Sequence, residues 1–256
     1  TTTMNDCFNE FNSVPVMVPS ANWGWQNSPV WNTAFVFTAE ALLRFCCHKE
    51  FVESIYGNLV KFSKNQIEAL KENNWVWGTK GLADWVAPVN SENDEVDPNT
   101  SEGAEICGTG FVYKMLESMI YISDALGIKE NNETFKNARE NIYKAFNEKF
   151  YNAEKQIYET THWDQKGNRR QYRQTSNLLP LSFGMVDEEN KAAVIRNLVD
   201  DIVSHGYHLD TGCTGTKHLL PVLFREGYAD VAYKLLTQTT YPSWGYWIEK
   251  GSTSAW

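Results

Sequence analysis

Paired runs of apolar residues at helical spacing constrain the fold of this chain more than any other feature. The first run lies in residues 34–45 and the second begins at residue 51 and continues to Ile67 and Leu70, with a polar connection at 47–50 between them. Their apolar positions are Ala34, Phe37, Ala41, Leu42 and Phe45, then Phe51, Ile55, Leu59 and Phe62. Two amphipathic helices joined by so short a connection fold back on each other, so the pattern predicts an antiparallel helical hairpin.

The same pattern returns in the rest of the chain. Apolar spacing predicts further helices at 111–126, 135–146, 175–185, 187–204, 216–226 and 228–238. Gly127 closes the first of these, Asp187 starts the fourth, and Pro180 and Pro221 are expected to bend or begin their helices. No βαβ unit and no repeat with a period of roughly 20–50 residues is visible. The sequence therefore predicts an all-α array of about eight helices in pairs.

Irregular segments, several of them rich in tryptophan, separate the helical runs. Residues 1–32 and 73–104 lack any period, and the second segment ends in an acidic stretch, 91–102, which we interpret as a solvated loop. Residues 156–162 have the composition of a short strand and lead to a turn at 165–168. Long aromatic loops at helix ends are where a helical array is expected to carry its active site.

The charge of the chain excludes two classes of partner. A formal net charge of −9 argues against nucleic acid and against anionic membrane surfaces, because both attract basic patches. No apolar run approaches the roughly 18 residues that a membrane-spanning helix needs. The first residues, Thr1 to Asp6, have neither the basic nor the apolar region of a signal peptide, so none is expected here.

Cysteine and histidine patterns give little support for a metal site. The five cysteines are an odd number without a CxxC pair, and we expect reduced, buried thiols. Of the five histidines, only His205 and His208 lie close together, and surface or hydrogen-bonding roles are expected for them. The glycine pattern of a phosphate-binding loop is also missing. The sequence therefore predicts neither a metal nor a cofactor.

Nine of the ten tryptophans are concentrated in three segments rich in Gly, Pro and Asn. They are Trp23, Trp25 and Trp31, then Trp75, Trp77 and Trp85, then Trp244, Trp247 and Trp256. Flat apolar rings suit the C–H faces of a sugar, while nearby carboxylates and amides bind its hydroxyls. These segments therefore favour a pocket for a neutral ligand, with ordinary core packing as the alternative.

Two carboxylates lie in these aromatic segments. Asp84 directly precedes Trp85, and Glu249 follows Trp247 by two residues. Glycoside hydrolysis uses one carboxyl group to protonate the leaving oxygen and another to activate water or attack the anomeric carbon. Either acid could hydrogen-bond a sugar, and the alternative for each is a helix cap or an ion pair.

A set of motifs in a fixed order carries a family resemblance. Residues 14–19 with 31–34 look like "VP-x-V-x-P … W-x-D-A", residues 81–88 like "GDW-L-A-P", and residues 174–181 like "QT-x-N-A-L-A-L". Residues 208–216 look like "HL-x-TG-x-x-GT", and residues 241–256 like "YPSWGY … GATT-x-W". In these motifs the chain resembles the bacterial α-L-rhamnosidases of glycoside hydrolase family 78.

The resemblance implies a fold, a reaction and a set of substrate contacts. The family has an (α/α)6 barrel of six helical hairpins, and residues 1–256 are expected to form an incomplete part of this catalytic domain. The implied reaction is inverting hydrolysis of rhamnose-containing glycans or glycosides. The implied substrate contacts are Trp31, Asp84, Trp85 and Trp244, whereas Thr33 stands where the family often has aspartate.

The resemblance also implies where the catalytic carboxylates lie. The family's general acid belongs to an acidic motif upstream of the "VP" segment, and its general base follows the tryptophan of "GATT-x-W-E". On this pattern the acid is expected before Thr1 and the base after Trp256, and Glu249 is a weak candidate within the chain. Residues 1–256 alone are then expected to be nearly inactive, because each carboxyl group has its own task.

Two alternatives from other classes stay open. The chain could be a non-catalytic helical protein that binds carbohydrate or acts as a scaffold. It could also be a different exo-glycosidase, or a polysaccharide lyase, on the same barrel.

Overall fold

The computed structural model describes residues 2–20, 23–85, 88, 103–159 and 172–254. The chain divides into two compact units, unit 1 with residues 1–83 and 104–149 and unit 2 with residues 84–103 and 150–256. Helices account for 63% of the structure, and strands contribute almost nothing. The all-α prediction is therefore confirmed. Within the described residues, no helix combines the length and the apolar character needed to span a bilayer.

Unit 1 contains two long helical hairpins and two short helices. Its elements are α1 Thr2–Asp6, α2 Pro29–Asn32, α3 Ala34–Cys46, α4 Lys49–Lys71, α5 Ala104–Leu126 and α6 Asn132–Phe150, of which Phe150 itself belongs to unit 2. The predicted α3–α4 hairpin is confirmed, with Cys47 in the left-handed conformation that ends α3 (φ 54°). Helix α5 packs against α2, α3 and α4. Helix α6 joins α5 through Arg139, which binds Glu117 at 3.0 Å.

Helix α5 is the core helix of unit 1 because most of its side chains are buried. An apolar stripe on α4 and one on α3 close the core, where the rings of Phe35 and Phe62 meet edge to face at 6.0 Å. Phe62, Leu59 and Ile55 are among the residues whose helical spacing predicted α4, and all three are buried. The periodic apolar residues of α4 therefore stabilise the hairpin, whereas α3 buries Phe35, Val36 and Ala39 rather than the positions whose spacing predicted it, and Phe45 is 81% exposed.

Unit 2 is built around one buried helix. Its elements are β1 Tyr151–Asn152, β2 Ile157–Tyr158, α7 Gln174–Phe183, α8 Glu188–Ser204, α9 Cys213–Arg225, α10 Ala229–Leu236 and α11 Trp244–Glu249. The two strands form an antiparallel hairpin with Tyr151 opposite Tyr158. Helix α7 packs against α8, α9 and β2, and α10 packs against α8 and α9. Polar residues at the start of α7, Gln174 to Asn177, are as buried as the apolar residues that follow them.

Several element boundaries differ from the predictions. Residues 1–32 and the segment around Trp244 were predicted to be irregular, yet they contain the short helices α1, α2 and α11, which are too short to show a period. Pro180 and Pro221 lie inside α7 and α9, so neither helix begins at its proline. Helix α9 begins at Cys213, three residues before the predicted start. Tertiary packing outweighs the local preference of these residues.

Two other predictions are settled in part. All five cysteines are free thiols, as predicted, but only Cys107 is buried; Cys46, Cys47 and Cys213 are exposed. The strand predicted at 156–162 is confirmed only at Ile157–Tyr158. Some predictions fall outside the described residues. They are residues 160–162 of the predicted strand, the turn at 165–168, the acidic stretch at 91–102, and Trp256.

Candidate functional site

The residues predicted to bind a sugar are divided between the two units. Trp31 lies half-buried in α2 of unit 1. Asp84, Trp85 and Trp244 belong to unit 2, where Trp244 is the first residue of α11. The role of these four residues as substrate contacts therefore stays a prediction.

Asp84 is the most heavily hydrogen-bonded of the predicted site residues, and only 2% of it is exposed. Its Oδ2 accepts from the Thr175 hydroxyl at 2.6 Å and from the Gly212 N–H at 2.7 Å. Its Oδ1 accepts from the Thr214 N–H at 3.0 Å, the Thr214 hydroxyl at 2.6 Å and the Gly215 N–H at 2.9 Å. These five donors occupy the roughly four lone-pair positions of a carboxylate. Of the roles predicted for Asp84, a helix cap is the one that this geometry shows.

The cap acts on the first turn of α9, whose N–H groups have no partner within the helix. Gly212 stands at the N-cap position and has no side chain that could serve. Asp84 supplies the negative charge instead, and the helix dipole favours it there. Gly215 is required by the close packing, because a Cβ atom at this position would lie 2.6 Å from the Thr175 Oγ1 and 2.9 Å from the Asp84 Oδ2.

Trp85 is fixed to the same helix end through its backbone. The Cys213 N–H donates to the Trp85 carbonyl oxygen at 2.8 Å. The side chain of Trp85 is nevertheless 38% exposed. The result is an indole ring that is accessible to a ligand while its backbone is anchored by Asp84 and α9. We refer below to Asp84, Thr175 and residues 212–215 as the Asp84 clamp.

A second polar network joins the start of α7 to the segment before α9. Arg173 is 1% exposed and its Nε binds the Asp210 Oδ2 at 2.9 Å. The Gln174 amide donates to the Asp201 Oδ2 at 3.0 Å and to the His208 carbonyl at 3.1 Å, and accepts from the Asp210 N–H at 2.8 Å. A buried ion pair and amide hydrogen bonds of this kind favour one arrangement of the chain.

Burial shifts the titration of three groups beside these networks. It raises the pKa of Asp201, although the Gln174 hydrogen bond and the charges of His205 and Arg173 oppose the shift. Burial, together with the negative charges of Asp201 and Asp210, raises the pKa of Tyr172 well above its ordinary value. Cys213 is exposed as a residue, but the protein around its thiol desolvates it in part; this desolvation and then the charge of Asp84 raise the pKa of the thiol, so this cysteine is not activated as a nucleophile.

The segment around Trp244 forms a third part of unit 2. The Ser243 hydroxyl caps α11 by accepting from the Tyr246 N–H at 3.0 Å. Gly245 packs closely against the backbone of residues 238–239, and the neighbouring Thr240 hydroxyl bonds to the His208 ring at 2.9 Å. Glu249 lies exposed at the end of α11 and forms no ion pair within the described residues. Its position gives no support to an acid–base role.

The histidines and acids form no metal centre in the part of the chain that the structure describes. There, no group of three or more His, Cys, Asp or Glu side chains could hold a metal ion. His205 and His208 make hydrogen bonds to backbone and hydroxyl oxygens, as predicted for them. His162 lies outside the described residues.

Sequence reasoning missed the partners of Asp84. Thr175, Gly212, Thr214 and Gly215 lie in two motifs of the family resemblance, but no role was predicted for them. The available signal was the polar start of α7, Gln174 to Asn177, directly before an apolar run. Thr33, which replaces a family aspartate, is buried and donates its hydroxyl to the Pro29 carbonyl at 2.6 Å, within its own helical turn.

Comparison with known proteins gives a consistent result. Residues 2–256 match the model of the bacterial alpha-L-rhamnosidase 6 hairpin glycosidase domain. An alpha-L-rhamnosidase of Formosa agariphila (strain DSM 15362 / KCTC 12365 / LMG 23005 / KMM 3901 / M-2Alg 35-1) is 34% identical over 175 residues, which are 68% of this chain and 17% of that protein.

Solved structures agree with the sequence comparison. The alpha-L-rhamnosidase from Dictyoglumus thermophilum superposes with a TM-score of 0.85 at 29% identity, over 100% of this chain and 27% of that one. A Streptomyces avermitilis alpha-L-rhamnosidase complexed with L-rhamnose shares the fold, with a TM-score of 0.72 at 23% identity, over 100% of this chain and 22% of that one. The chain thus spans between a sixth and little more than a quarter of the proteins it is compared with.

Proposed function

Since the chain belongs to the bacterial α-L-rhamnosidase six-hairpin glycosidase family, we propose that its protein hydrolyses terminal α-L-rhamnosides of glycans or glycosides. The proposed mechanism is inverting. One carboxyl group protonates the leaving oxygen while a second activates water on the opposite face of the sugar, with about 6.5–9.5 Å between them. The family membership and the 34% identity to an alpha-L-rhamnosidase support this proposal.

The observation that carries the proposal in this chain is the exposed ring of Trp85 on an anchored backbone. A ring held in place before the ligand arrives loses little conformational freedom on binding, which favours affinity. Rhamnose has a methyl group at C6, and this apolar edge suits an indole face. Trp244, half-buried in the same unit as Trp85, is proposed as a further part of the rhamnose-binding wall, and Trp31, half-buried in unit 1, is proposed as a separate rhamnose contact.

Asp84 has a different place in this proposal from the sugar contact expected at first. Its two oxygens already accept five hydrogen bonds from Thr175, Gly212, Thr214 and Gly215, which leaves no acceptor position for a sugar hydroxyl. We therefore propose that Asp84 holds the Trp85 segment on α9 and leaves the direct contacts to the tryptophans.

Hydrolysis of an aryl α-L-rhamnoside by the full-length protein tests the reaction. We expect release of the aryl group, with β-L-rhamnose as the first sugar product in a proton NMR time course, because inversion converts the α anomer into the β anomer. Turnover of another aryl glycoside but not of the rhamnoside would favour the alternative exo-glycosidase. Binding of rhamnose without turnover would favour a carbohydrate-binding protein.

Truncation of Trp85 tests the binding wall. We expect Trp85→Ala to weaken rhamnose binding by about 1–3 kcal/mol in calorimetry, the range for loss of a large apolar contact. Phe224→Ala is the matched control, because Phe224 is an exposed aromatic residue of α9 in the same unit. Equal affinity of wild type and a folded Trp85→Ala variant would remove Trp85 from the wall.

A further inference from the structure

A cavity in unit 1 has the chemistry of a carbohydrate-binding site. It measures about 610 Å³ and is lined by Asn9, Phe11, Ser13, Trp25, Asn27 and Asn65. This size lies within the range of small-ligand sites, roughly 300–1,000 Å³. All six lining residues are uncharged, and two of them are aromatic. We refer to this space as the Trp25 cavity.

The aromatic residues of the cavity are exposed to an unusual degree. Phe11 is 72% exposed and Trp25 is 45% exposed, although unit 1 buries many smaller apolar side chains. The first tryptophan segment was open to either a core or a ligand interpretation, and this geometry contradicts the core interpretation for Trp25. Accessible flat rings beside polar groups suit the C–H faces of a pyranose.

The amides of the cavity have free capacity of both kinds. The Asn9 Oδ1 accepts from the Phe11 N–H at 3.1 Å and from the Ser13 N–H at 3.0 Å, which fixes the orientation of this amide. Both N–H donors of its Nδ2 are therefore free within the described residues. Asn65 is the complementary case, because its Nδ2 donates to the Phe11 and Asn12 carbonyls at 3.3 and 3.4 Å.

The Asn65 Oδ1 is consequently an acceptor without a partner in the described part of the chain. A sugar hydroxyl both donates and accepts a hydrogen bond. The free donors of Asn9 and the free acceptor of Asn65 match this dual requirement. Of these free groups, a cation could use only the acceptor of Asn65, and an anion could use only the donors of Asn9.

The loop that carries the cavity is held by specific bonds. Asn32 is buried and ties two points of it, donating to the Val14 carbonyl at 2.6 Å and accepting from the Ser28 N–H at 2.5 Å. The Val16 N–H donates to the Gly24 carbonyl at 2.7 Å, and Gly24 has φ 94°, a conformation that favours glycine. Trp25 follows directly, so its backbone is positioned before any ligand binds.

A second cavity of about 560 Å³ shares the lining residue Asn27 with the first. Trp77, Thr79 and Lys80 are among the residues that line it. Among the described residues that line the two cavities, Lys80 provides the only charge, and it lies on the second one.

We propose that the Trp25 cavity binds a neutral sugar unit of the glycan that carries the terminal rhamnose. The identity of this glycan rests on the proposed function; the binding chemistry rests on Trp25, Asn9 and Asn65. The cavity then determines a preference for rhamnosyl oligosaccharides over small rhamnosides.

The test compares two substrates of the full-length protein, an aryl α-L-rhamnoside and a neutral oligosaccharide with terminal α-L-rhamnose. Trp25→Ala is expected to lower the kcat/KM ratio of oligosaccharide to aryl substrate by about tenfold, the effect of losing one ring–sugar contact. Asn9→Asp is expected to lower the same ratio, because it keeps the two acceptor bonds of the loop and removes the free donors. Phe45→Ala, an exposed aromatic residue of α3, is the control.

The outcomes separate this proposal from the proposed function. If the wild type fails to cleave the aryl rhamnoside, the proposed function fails. Calorimetric titration of the two variants with the oligosaccharide then still tests whether the Trp25 cavity binds a sugar unit. An unchanged ratio and unchanged affinity in both variants would overturn the cavity proposal. Equal losses with both substrates would also overturn it, as would affinity that falls with added salt, since a neutral ligand is insensitive to screening.

Discussion

In unit 2 the polar side chains around Asp84 are buried and bonded to one another, whereas in unit 1 the amides around Trp25 face a cavity with part of their capacity free. Asp84 accepts five hydrogen bonds and is 2% exposed. Asn9 has an occupied oxygen and, within the described residues, an unoccupied nitrogen. Polar side chains therefore hold the fold together around Asp84 and are available to a ligand around Trp25.

The two regions differ in whether their polar groups find hydrogen-bond partners within the protein. A buried group that loses its partner keeps its desolvation penalty, so a change in the Asp84 clamp should act on stability. A half-exposed amide can bond to water when no ligand is present, so a change in the Trp25 cavity should act on binding. The predictions below test this contrast in unit 2, beginning with the largest expected effect.

Asp84→Asn is expected to lower the free energy of unfolding by about 3 kcal/mol or more, because its amide group would face N–H and O–H donors that lose their acceptor. Urea unfolding followed by circular dichroism measures the loss. Hydrogen exchange at Gly212, Thr214 and Gly215 should accelerate in the same variant. Asp230→Asn, at an exposed acid of α10, is the control. A loss below that of the control would mean that the clamp contributes no stability.

Gly215→Ala is expected to destabilise the protein by about 1–3 kcal/mol, the usual range for overpacking. The added methyl group would meet the Thr175 and Asp84 oxygens, and both are held by the clamp and cannot move away. Gly57→Ala is the matched control, since a Cβ at this position of α4 has open space around it. That change should instead stabilise the helix by up to about 1 kcal/mol. Similar losses in both variants would show that the packing at Gly215 is loose.

The sequence predicted the long helices and missed the contacts that hold the candidate site. Eight helices with periodic apolar faces were found, because burial of one face leaves a local signature. The start of α9 was placed at Thr216 and not at Cys213, since its first turn, Cys-Thr-Gly, has no apolar residue to show a period. Short helices such as α2 and α11 fail for the same reason.

The Asp84 clamp had no local signature at all. Its donors come from 91 to 131 residues further along the chain. Sequence reasoning therefore left Asp84 between a sugar contact and a helix cap, and only the fold shows the cap. The Trp25 cavity is similar, since Asn9 and Asn65 are distant in sequence; of its lining residues, only Trp25 was indicated by the sequence.

The smallest expected effect is a pH dependence of stability that comes from one partly buried carboxyl group, that of Asp201. Burial raises its folded-state pKa above the ordinary value of 3.8, so the folded protein binds this proton more tightly than the unfolded chain does. Stability from this group is therefore complete below about pH 3.8 and is lost as the pH rises through the folded pKa. Arg173, His205 and the Gln174 amide oppose the loss by favouring the charged form.

Asp201→Asn removes this titration and keeps an oxygen that can accept from Gln174. The difference in unfolding free energy, variant minus wild type, should therefore increase from about pH 3.8 upward and then level off. Urea unfolding at a series of pH values measures this curve. Asp200→Asn, at the exposed neighbour on α8, shows what the loss of one negative charge does without burial. A curve for Asp201→Asn that is flat or decreases with pH would show that Asp201 is better stabilised as a charge than its burial indicates. The Gln174 hydrogen bond and the charges of His205 and Arg173 would then outweigh the burial of Asp201.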